Sequence, residues 1–230
     1  MSSCPCQNPN SPMSARRFLL IVFSLLVIGA CIHWAIDWVR PRPLPMAGGL
    51  YSPLRFEIPG PHYLQGDSKW GNDLLAETPE SLNDAGCAVS SAAMVLGGYG
   101  IDTDPGRLNA FLRKIPGGYT PEGWIYWEKA VEISPAVANS LLPHYEDLPS
   151  FFLIDWNLWR GNPVIVRVRY PSGITHFVVV CGKDGNDYLV RDPGVMGQQG
   201  ISYLSEFPPP VEALRFYRKP TEQLETSHLR

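Results

Sequence analysis

A run of small and apolar residues at positions 85–99 limits most strongly what this chain can fold into. It follows a turn-forming sequence, Asn-Asp-Ala-Gly at 83–86, and contains no proline before the glycine pair at 97–98. This pattern predicts a short buried helix that ends at the glycines, with Asp84 as a candidate N-cap. Cys87 would then lie in the first turn of that helix.

The position of Cys87 allows two interpretations. A thiol in the first turn of a helix lies near unpaired backbone N–H groups and the positive end of the helix dipole, which favour the thiolate. A cysteine followed by alanines is also typical of a small, inert core residue. The choice between the two depends on whether another part of the chain supplies a base.

The composition is that of a globular protein. Hydrophobic residues make up 45% and charged residues 18% of the 230 residues, and the net charge of −3 does not suggest a nucleic-acid partner. Because Cys4, Cys6 and Cys31 precede the globular part, only Cys87 and Cys181 lie inside it, and no disulfide framework is expected. We expect no metal and no cofactor, since neither zinc-site spacings nor a phosphate-binding glycine loop after a strand is present.

An uncharged apolar run, 18–36, lies near the N-terminus between an arginine pair and Asp37. Its 19 residues are just long enough to cross a bilayer. We expect a membrane anchor that leaves the following domain outside the cytoplasm. Two alternatives stay open: a signal peptide cleaved near Ala30, or a bacterial lipoprotein that is lipidated at Cys31 within an Ile-Gly-Ala-Cys sequence.

The sequence divides into five segments. Residues 1–17 are polar and expected to be disordered, and 18–39 form the anchor or signal segment. Alternating prolines and a glycine pair make 40–60 a semi-rigid linker. A single domain over 61–218 and a flexible tail over 219–230 complete the chain.

Within the domain, helical patterns come first and strand patterns later, which is typical of an α+β fold with an antiparallel sheet. Besides the helix that begins at Cys87, helices are predicted at 106–114, from 121 onward and at 155–160, and strands at 163–170, 176–181, 188–191 and 213–217.

The second and third predicted strands form a hairpin that brings a histidine and an aspartate together. A three-residue loop, 184–186, would pair Lys183 with Asp187. In that register Asp192 lies on the same face as His176 and within reach of its side chain. A slip of one residue would put the two side chains on opposite faces. If the register holds, a carboxylate orients an imidazole, and Cys87 is the natural thiol for this pair.

Several blocks, in this order, resemble the peptidase-like branch of the family-39 cysteine peptidases. They begin with Gln-Gly-Asp-Ser-Lys-Trp-Gly-Asn at 65–72 and Gly-Cys-Ala-Val-Ser-Ser-Ala-Ala-Met-Val-Leu at 86–96. Gly-Asn-Pro-Val-Ile-Val at 161–166, His-Phe-Val-Val-Val at 176–180 and Arg-Asp-Pro at 191–193 follow. Members of this branch are papain-fold domains related to the double-glycine leader peptidases, which process bacteriocins.

The resemblance, which covers residues 61–193, implies a papain-like α+β fold and a role for each of four residues. Cys87 would be the nucleophile, His176 the general base and Asp192 the residue that fixes the imidazole tautomer. Gln65 would donate its side-chain amide to an oxyanion hole that it shares with the backbone N–H of Cys87. A leader-peptide substrate is not implied; thiol-dependent cleavage of an amide is.

Together these features predict a membrane-tethered, thiol-dependent hydrolase that cleaves peptide or related amide bonds with a Cys-His-Asp triad. Its partners would be a peptide or protein substrate and the membrane. Two alternatives stay open: a non-catalytic domain of the same fold that binds peptide or cell-wall material, and an acyl transferase that passes the acyl group to an amine.

Overall fold

The chain forms two compact units, Met1–Val39 and Arg40–Arg230, in a computed structural model that describes residues 14–135 and 143–218. Most of the predicted disordered segment and all of the predicted C-terminal tail therefore lie outside the described residues.

The described part of the first unit is a single helix, α1 (Ala15–Val39). It includes the last residues of the segment that was expected to be disordered. Its most apolar stretch has a mean hydropathy of 2.5 and no buried residue, so the helix is long and apolar enough to cross a membrane. A signal sequence near an N-terminus has the same properties, and Cys31 lies exposed within the helix.

The second unit combines short helices with an antiparallel sheet. The helices are α2 (Leu82–Ala85), α3 (Cys87–Gly98), α4 (Pro105–Leu112), α5 (Trp127–Ala130) and α6 (Phe151–Trp159), with 3-10 turns at Val131–Ile133, Val195–Gln199 and Leu204–Glu206. The strands are β1 (Ser52–Glu57), β2 (Pro143–Asp147), β3 (Val164–Arg169), β4 (Thr175–Gly185), β5 (Asp187–Arg191), β6 (Ser202–Tyr203) and β7 (Ala213–Tyr217).

The sheet has the strand order β2-β7-β3-β4-β5-β6 in the described part of the chain, and β1 pairs with the C-terminal part of β4. The ladders between these strands are antiparallel. Helices that precede and cover such a sheet make an α+β fold, so the predicted fold class is confirmed.

Helix α3 lies in the core, as its composition predicts. Val89, Ala92, Val95 and Leu96 are at most 1% exposed, because small residues let the helix lie close to β3 and β4. Asp84, however, is not its N-cap. Ser81 caps the separate turn α2, where Asp84 completes a capping box, and Gly86 precedes α3.

Two further helices differ from the sequence prediction. The helix predicted from residue 121 begins only at Trp127, because Gly123 takes a positive φ of 85° that interrupts helical backbone. Helix α6 begins earlier than predicted, at Phe151, where the side chain of Ser150 accepts a hydrogen bond from the N–H of Leu153.

The segment predicted as a linker, 40–60, is largely part of the folded unit. Leu44 is 1% exposed and forms a bridge with Val211, and β1 pairs with β4. The physical reason is that polyproline and extended strand geometries lie close in φ and ψ, so a proline-rich segment can add to the edge of a sheet. Its prolines therefore indicate extended chain but not a free spacer.

The β4–β5 hairpin reaches the predicted register by a different route. Its tip is tighter than expected, since Asp184 pairs with Asp187. One extra residue in β4, Cys181, then forms a bulge, and beyond it Val179 pairs with Arg191. The shift at the tip and the shift at the bulge cancel, so the strand end that carries His176 has the predicted alignment.

Candidate active site

The N-terminus of α3 presents a half-buried thiol. Cys87 is the first residue of this helix, and the residue before it, Gly86, offers no side chain to cap the free N–H groups. A Cβ at position 86 would lie 2.4 Å from the carbonyl oxygen of Leu82, so this tight turn between α2 and α3 requires glycine. The thiol therefore lies at the positive end of the α3 dipole.

An imidazole–carboxylate pair lies where β4 begins and β5 ends. His176 Nε2 is 2.5 Å from Asp192 Oδ1, and the two residues are 9% and 1% exposed. The same carboxylate oxygen accepts a hydrogen bond from the backbone N–H of Gly194 at 2.9 Å. The predicted contact between this histidine and this aspartate is thus present in the structure.

The thiol of Cys87 lies beside the imidazole of His176, whose pKa it raises. Since Asp192 occupies Nε2, the nitrogen available to the thiol is Nδ1. Burial lowers the pKa of His176, but the hydrogen bonds and charges of Asp192 and Cys87 outweigh burial and raise the pKa to about 9.

The carboxylate responds in the opposite sense. Burial raises the pKa of Asp192, but the hydrogen bond and charge of His176 and the backbone N–H groups of Gly194 and Gly197 lower the pKa below its ordinary value. The pair is therefore an imidazolium and a carboxylate at neutral pH.

Gln65 connects the two halves of the site. Its Nε2 donates a hydrogen bond of 2.7 Å to the carbonyl oxygen of Asn83, in the turn α2 just before Cys87. Its backbone N–H donates to the carbonyl oxygen of Pro193, next to Asp192, at 2.8 Å. The structure thus brings Gln65 together with the chain segments that carry the thiol and the carboxylate.

Two residues that sequence reasoning missed also touch this cluster. His62 Nε2 lies 2.8 Å from the carbonyl oxygen of Asp192, and the ring of Tyr170 lies 5.9 Å from the ring of His176. Burial and the charges of Asp192 and Cys87 raise the pKa of Tyr170. Tyr170 could have been found from the short turn between β3 and β4, whereas nothing local distinguishes His62.

Glycine at position 197 permits the contact that His62 makes. A Cβ there would lie 1.8 Å from the carbonyl oxygen of Asp192 and 2.8 Å from His62 Nε2. The segment after β5 can therefore fold back over Asp192 only because this position carries no side chain.

Comparison with known families now adds to this geometry. The model of the Peptidase_C39 like family matches residues 65–207, which is more than half of the chain. The chain belongs to this C39-like peptidase family. The match includes Gln65, Cys87, His176 and Asp192.

Solved structures and curated proteins provide two further comparisons. A solved structure described as a C39-like peptidase from Bacillus anthracis is similar at 15% identity and a TM-score of 0.44, and the match covers 73% of this chain and all of that one. A search of curated proteins gives no match.

Proposed function

We propose that this C39-like protein is a membrane-tethered, thiol-dependent hydrolase that cleaves a peptide or related amide bond. The observation that carries the proposal is the juxtaposition of a thiol at a helix N-terminus, Cys87, with an imidazole, His176, that a buried carboxylate orients. This combination activates a thiol for nucleophilic attack.

In the proposed first step, Sγ of Cys87 attacks the carbonyl carbon of the scissile amide. At neutral pH Nδ1 of His176 already holds the proton that the thiol gives up, so that the attacking group is a thiolate next to an imidazolium. Asp192 stabilises the imidazolium through Nε2 and holds the ring with Nδ1 towards the thiol.

The oxyanion of the tetrahedral intermediate would be held by two N–H donors. One is the backbone N–H of Cys87, which is among the free N–H groups at the start of α3. The other is the side-chain amide of Gln65, which has two protons and gives one of them to Asn83. The hydrogen bond to Asn83 would hold this amide in place before the substrate binds, which is what an oxyanion hole requires.

Collapse of the intermediate breaks the C–N bond, and His176 gives its proton to the leaving amine. The product is a thioester on Cys87 and a free amine. Water then attacks the thioester with His176 as base, which releases the acid and restores the thiol. A pKa of about 9 supports this role, because the imidazole still carries a proton for the leaving group at neutral pH.

The proposed tether is α1. It would anchor the chain, with the catalytic domain outside the cytoplasm; lipidation at Cys31 after removal of the preceding residues is the alternative, and a cleaved signal would release the domain. The mass of the mature protein distinguishes these forms, because the anchor keeps residues 1–30, whereas a lipoprotein begins at a lipidated Cys31. A soluble protein that lacks α1 would contradict the tether.

Thiol labelling tests the proposed nucleophile. We expect iodoacetamide at neutral pH to modify Cys87 of the full chain faster than a free thiol, and His176→Ala to remove the difference. Cys181 is the internal control, because it is fully buried and burial raises its pKa to about 12. Equal rates at Cys87 in both chains, no faster than a free thiol, would contradict the proposal.

A peptide library then separates hydrolysis from the two alternatives. Cleavage that is lost in Cys87→Ser supports the hydrolase. Binding without cleavage, unchanged in Cys87→Ser, would support a binding domain instead. Products that carry an added amine when an amine acceptor is supplied would indicate acyl transfer.

A further inference from the structure

The outer face of α6 carries a row of aromatic side chains that the proposed chemistry does not use. Phe152, Trp156 and Trp159 are spaced so that they share one side of the helix. The ring centroids are 5.9 Å apart for Phe152 and Trp156, and 5.3 Å apart for Trp156 and Trp159. Trp156 is 39% exposed and Trp159 is 76% exposed. The row thus presents two adjacent indoles, tilted at 57° to each other, to the surroundings.

The charged residues around this row fit a phospholipid surface. The guanidinium of Arg160 lies 5.6 Å above the ring of Trp156, so a cation that pairs well with phosphate ends the row. The one acidic residue of α6, Asp155, lies on the buried face, where it binds Lys183. Indoles next to a cation, with no carboxylate on the same helix face, are typical of the boundary between lipid headgroups and acyl chains.

The start of α6 is bonded to a residue that follows α1 closely in the sequence. The backbone N–H of Arg42 donates a hydrogen bond of 2.8 Å to the carbonyl oxygen of Pro149, next to the N-cap Ser150 of α6. Arg42 follows Val39, the last residue of α1, by three residues. The segment that joins α6 to the proposed anchor is therefore short.

We propose that the outer face of α6, formed by Phe152, Trp156, Trp159 and Arg160, docks on the phospholipid surface of the membrane that α1 anchors in. The proposal rests on the membrane tether given above and adds a second, non-covalent contact. The indoles enter the headgroup–acyl boundary, and Arg160 binds lipid phosphate. Docking holds the catalytic domain against the bilayer in one orientation.

Tryptophan quenching in vesicles tests this contact. The full chain is reconstituted in phosphatidylcholine–phosphatidylglycerol vesicles with brominated acyl chains, which quench nearby indoles. We expect the double change Trp156→Phe and Trp159→Phe to remove part of the quenched fluorescence. Trp124→Phe is the matched control, because Trp124 is 72% exposed but lies outside α6, and we expect it to remove no quenched fluorescence.

The outcomes separate docking from the tether and from catalysis. A chain that floats with the vesicles, but whose quenched fluorescence is the same with and without the two α6 indoles, overturns docking and leaves the tether intact. A chain that does not float overturns both. Shielding of these indoles from acrylamide by cell-wall polysaccharide, but not by vesicles, would identify a sugar platform and also overturn docking. Amide cleavage, measured on the same samples, reports separately on Cys87.

Discussion

The two ring nitrogens of His176 have different partners, and this difference determines what the residue can do. Nε2 faces the buried carboxylate of Asp192, which leaves Nδ1 for Cys87. Asp192 is itself held by the N–H of Gly194 and, through its carbonyl oxygen, by His62. The orientation of the imidazole therefore depends on residues from three separate parts of the chain.

Asp192→Asn should lower the pKa of His176. Burial is the largest influence on this pKa and acts downward, so loss of the carboxylate removes the main opposing effect. We expect the imidazole to titrate well below pH 9 by NMR. The alkaline limb of kcat/KM should move to lower pH by the same amount, and kcat should fall by about 10²–10⁴-fold.

The same substitution should change the pH dependence of stability. In the folded state the pKa of His176 is raised from 6.5 to about 9. The protonated imidazole therefore stabilises the folded state fully below pH 6.5, and this stabilisation is lost as the pH rises through 9. The stability difference between wild type and Asp192→Asn, measured with denaturant, should therefore be larger at pH 6 than at pH 10. Asp102→Asn, at an exposed position, is the control. A stability difference between wild type and Asp192→Asn that grows towards high pH would contradict the role of the His176–Asp192 pair.

At the scale of single elements, a side-chain hydrogen bond joins α3, which carries the thiol, to β4, which carries the imidazole. Ser91 Oγ donates to the carbonyl oxygen of Phe177, the residue after His176, at 3.1 Å. Its neighbour Ser90 is equally buried, but its Oγ has no hydrogen-bond partner in the described structure. The two serines therefore form a matched pair.

Ser91→Ala should lower the free energy of unfolding by about 1 kcal/mol, because a buried hydrogen bond between α3 and β4 is lost. Ser90→Ala removes a buried hydroxyl without a partner, so we expect no loss, or a small gain, in stability. Urea denaturation of both variants measures the difference. Equal effects of the two substitutions would show that the bond to Phe177 does not hold the elements together.

The hairpin shows how far element-scale prediction reaches. Turn chemistry correctly predicted a hairpin at residues 183–187, but not the length of its loop. The bulge at Cys181 lies where β4 pairs with β5 on one side and meets β1 on the other. Since β1 was not predicted, the bulge could not be predicted either, and the correct alignment of His176 with Asp192 followed from two shifts that cancel.

At the scale of the whole molecule, a buried ion pair fastens the start of the second unit to its sheet. Lys183 is 3% exposed, and its Nζ binds Asp155 at 2.9 Å and the carbonyl oxygen of Gly48 at 2.7 Å. The other oxygen of Asp155 accepts the N–H of Leu50 at 2.7 Å, and Tyr188 donates to the carboxylate. Residues 48–50 are thereby held against β4 and α6.

Asp155→Ala should destabilise the protein by about 3–5 kcal/mol, because it leaves a buried ammonium without its partner. Burial already lowers the pKa of Lys183, which shows the cost of placing this charge inside. Glu132→Ala, which breaks an exposed pair with Lys129, should change stability by less than about 1 kcal/mol. Thermal or denaturant unfolding compares them, and similar losses would contradict the role of burial.

The start of the folded unit can be tested by truncation. A chain that begins at Arg40 keeps Leu44, β1 and the contact of Leu50 with Asp155, whereas a chain that begins at Pro61 loses all three. We expect cooperative thermal unfolding for the first and a much lower midpoint, or no cooperative transition, for the second. Equal midpoints would restore the interpretation of residues 40–60 as a linker.

The sequence by itself determined the fold class, the buried helix with Cys87 at its start, and the four candidate site residues. These follow from local periodicity, turn chemistry and an ordered set of motifs, each of which acts over a few residues. Only the tertiary structure decided that β1 joins the sheet, that His62 and Tyr170 touch the site, and that the aromatic row of α6 stays exposed. Such outcomes depend on which segments, distant in the sequence, come into contact when the chain folds, and no local sequence pattern determines those contacts. For Cys87 this distinction matters most, since the helix positions the thiol but the sheet supplies its base.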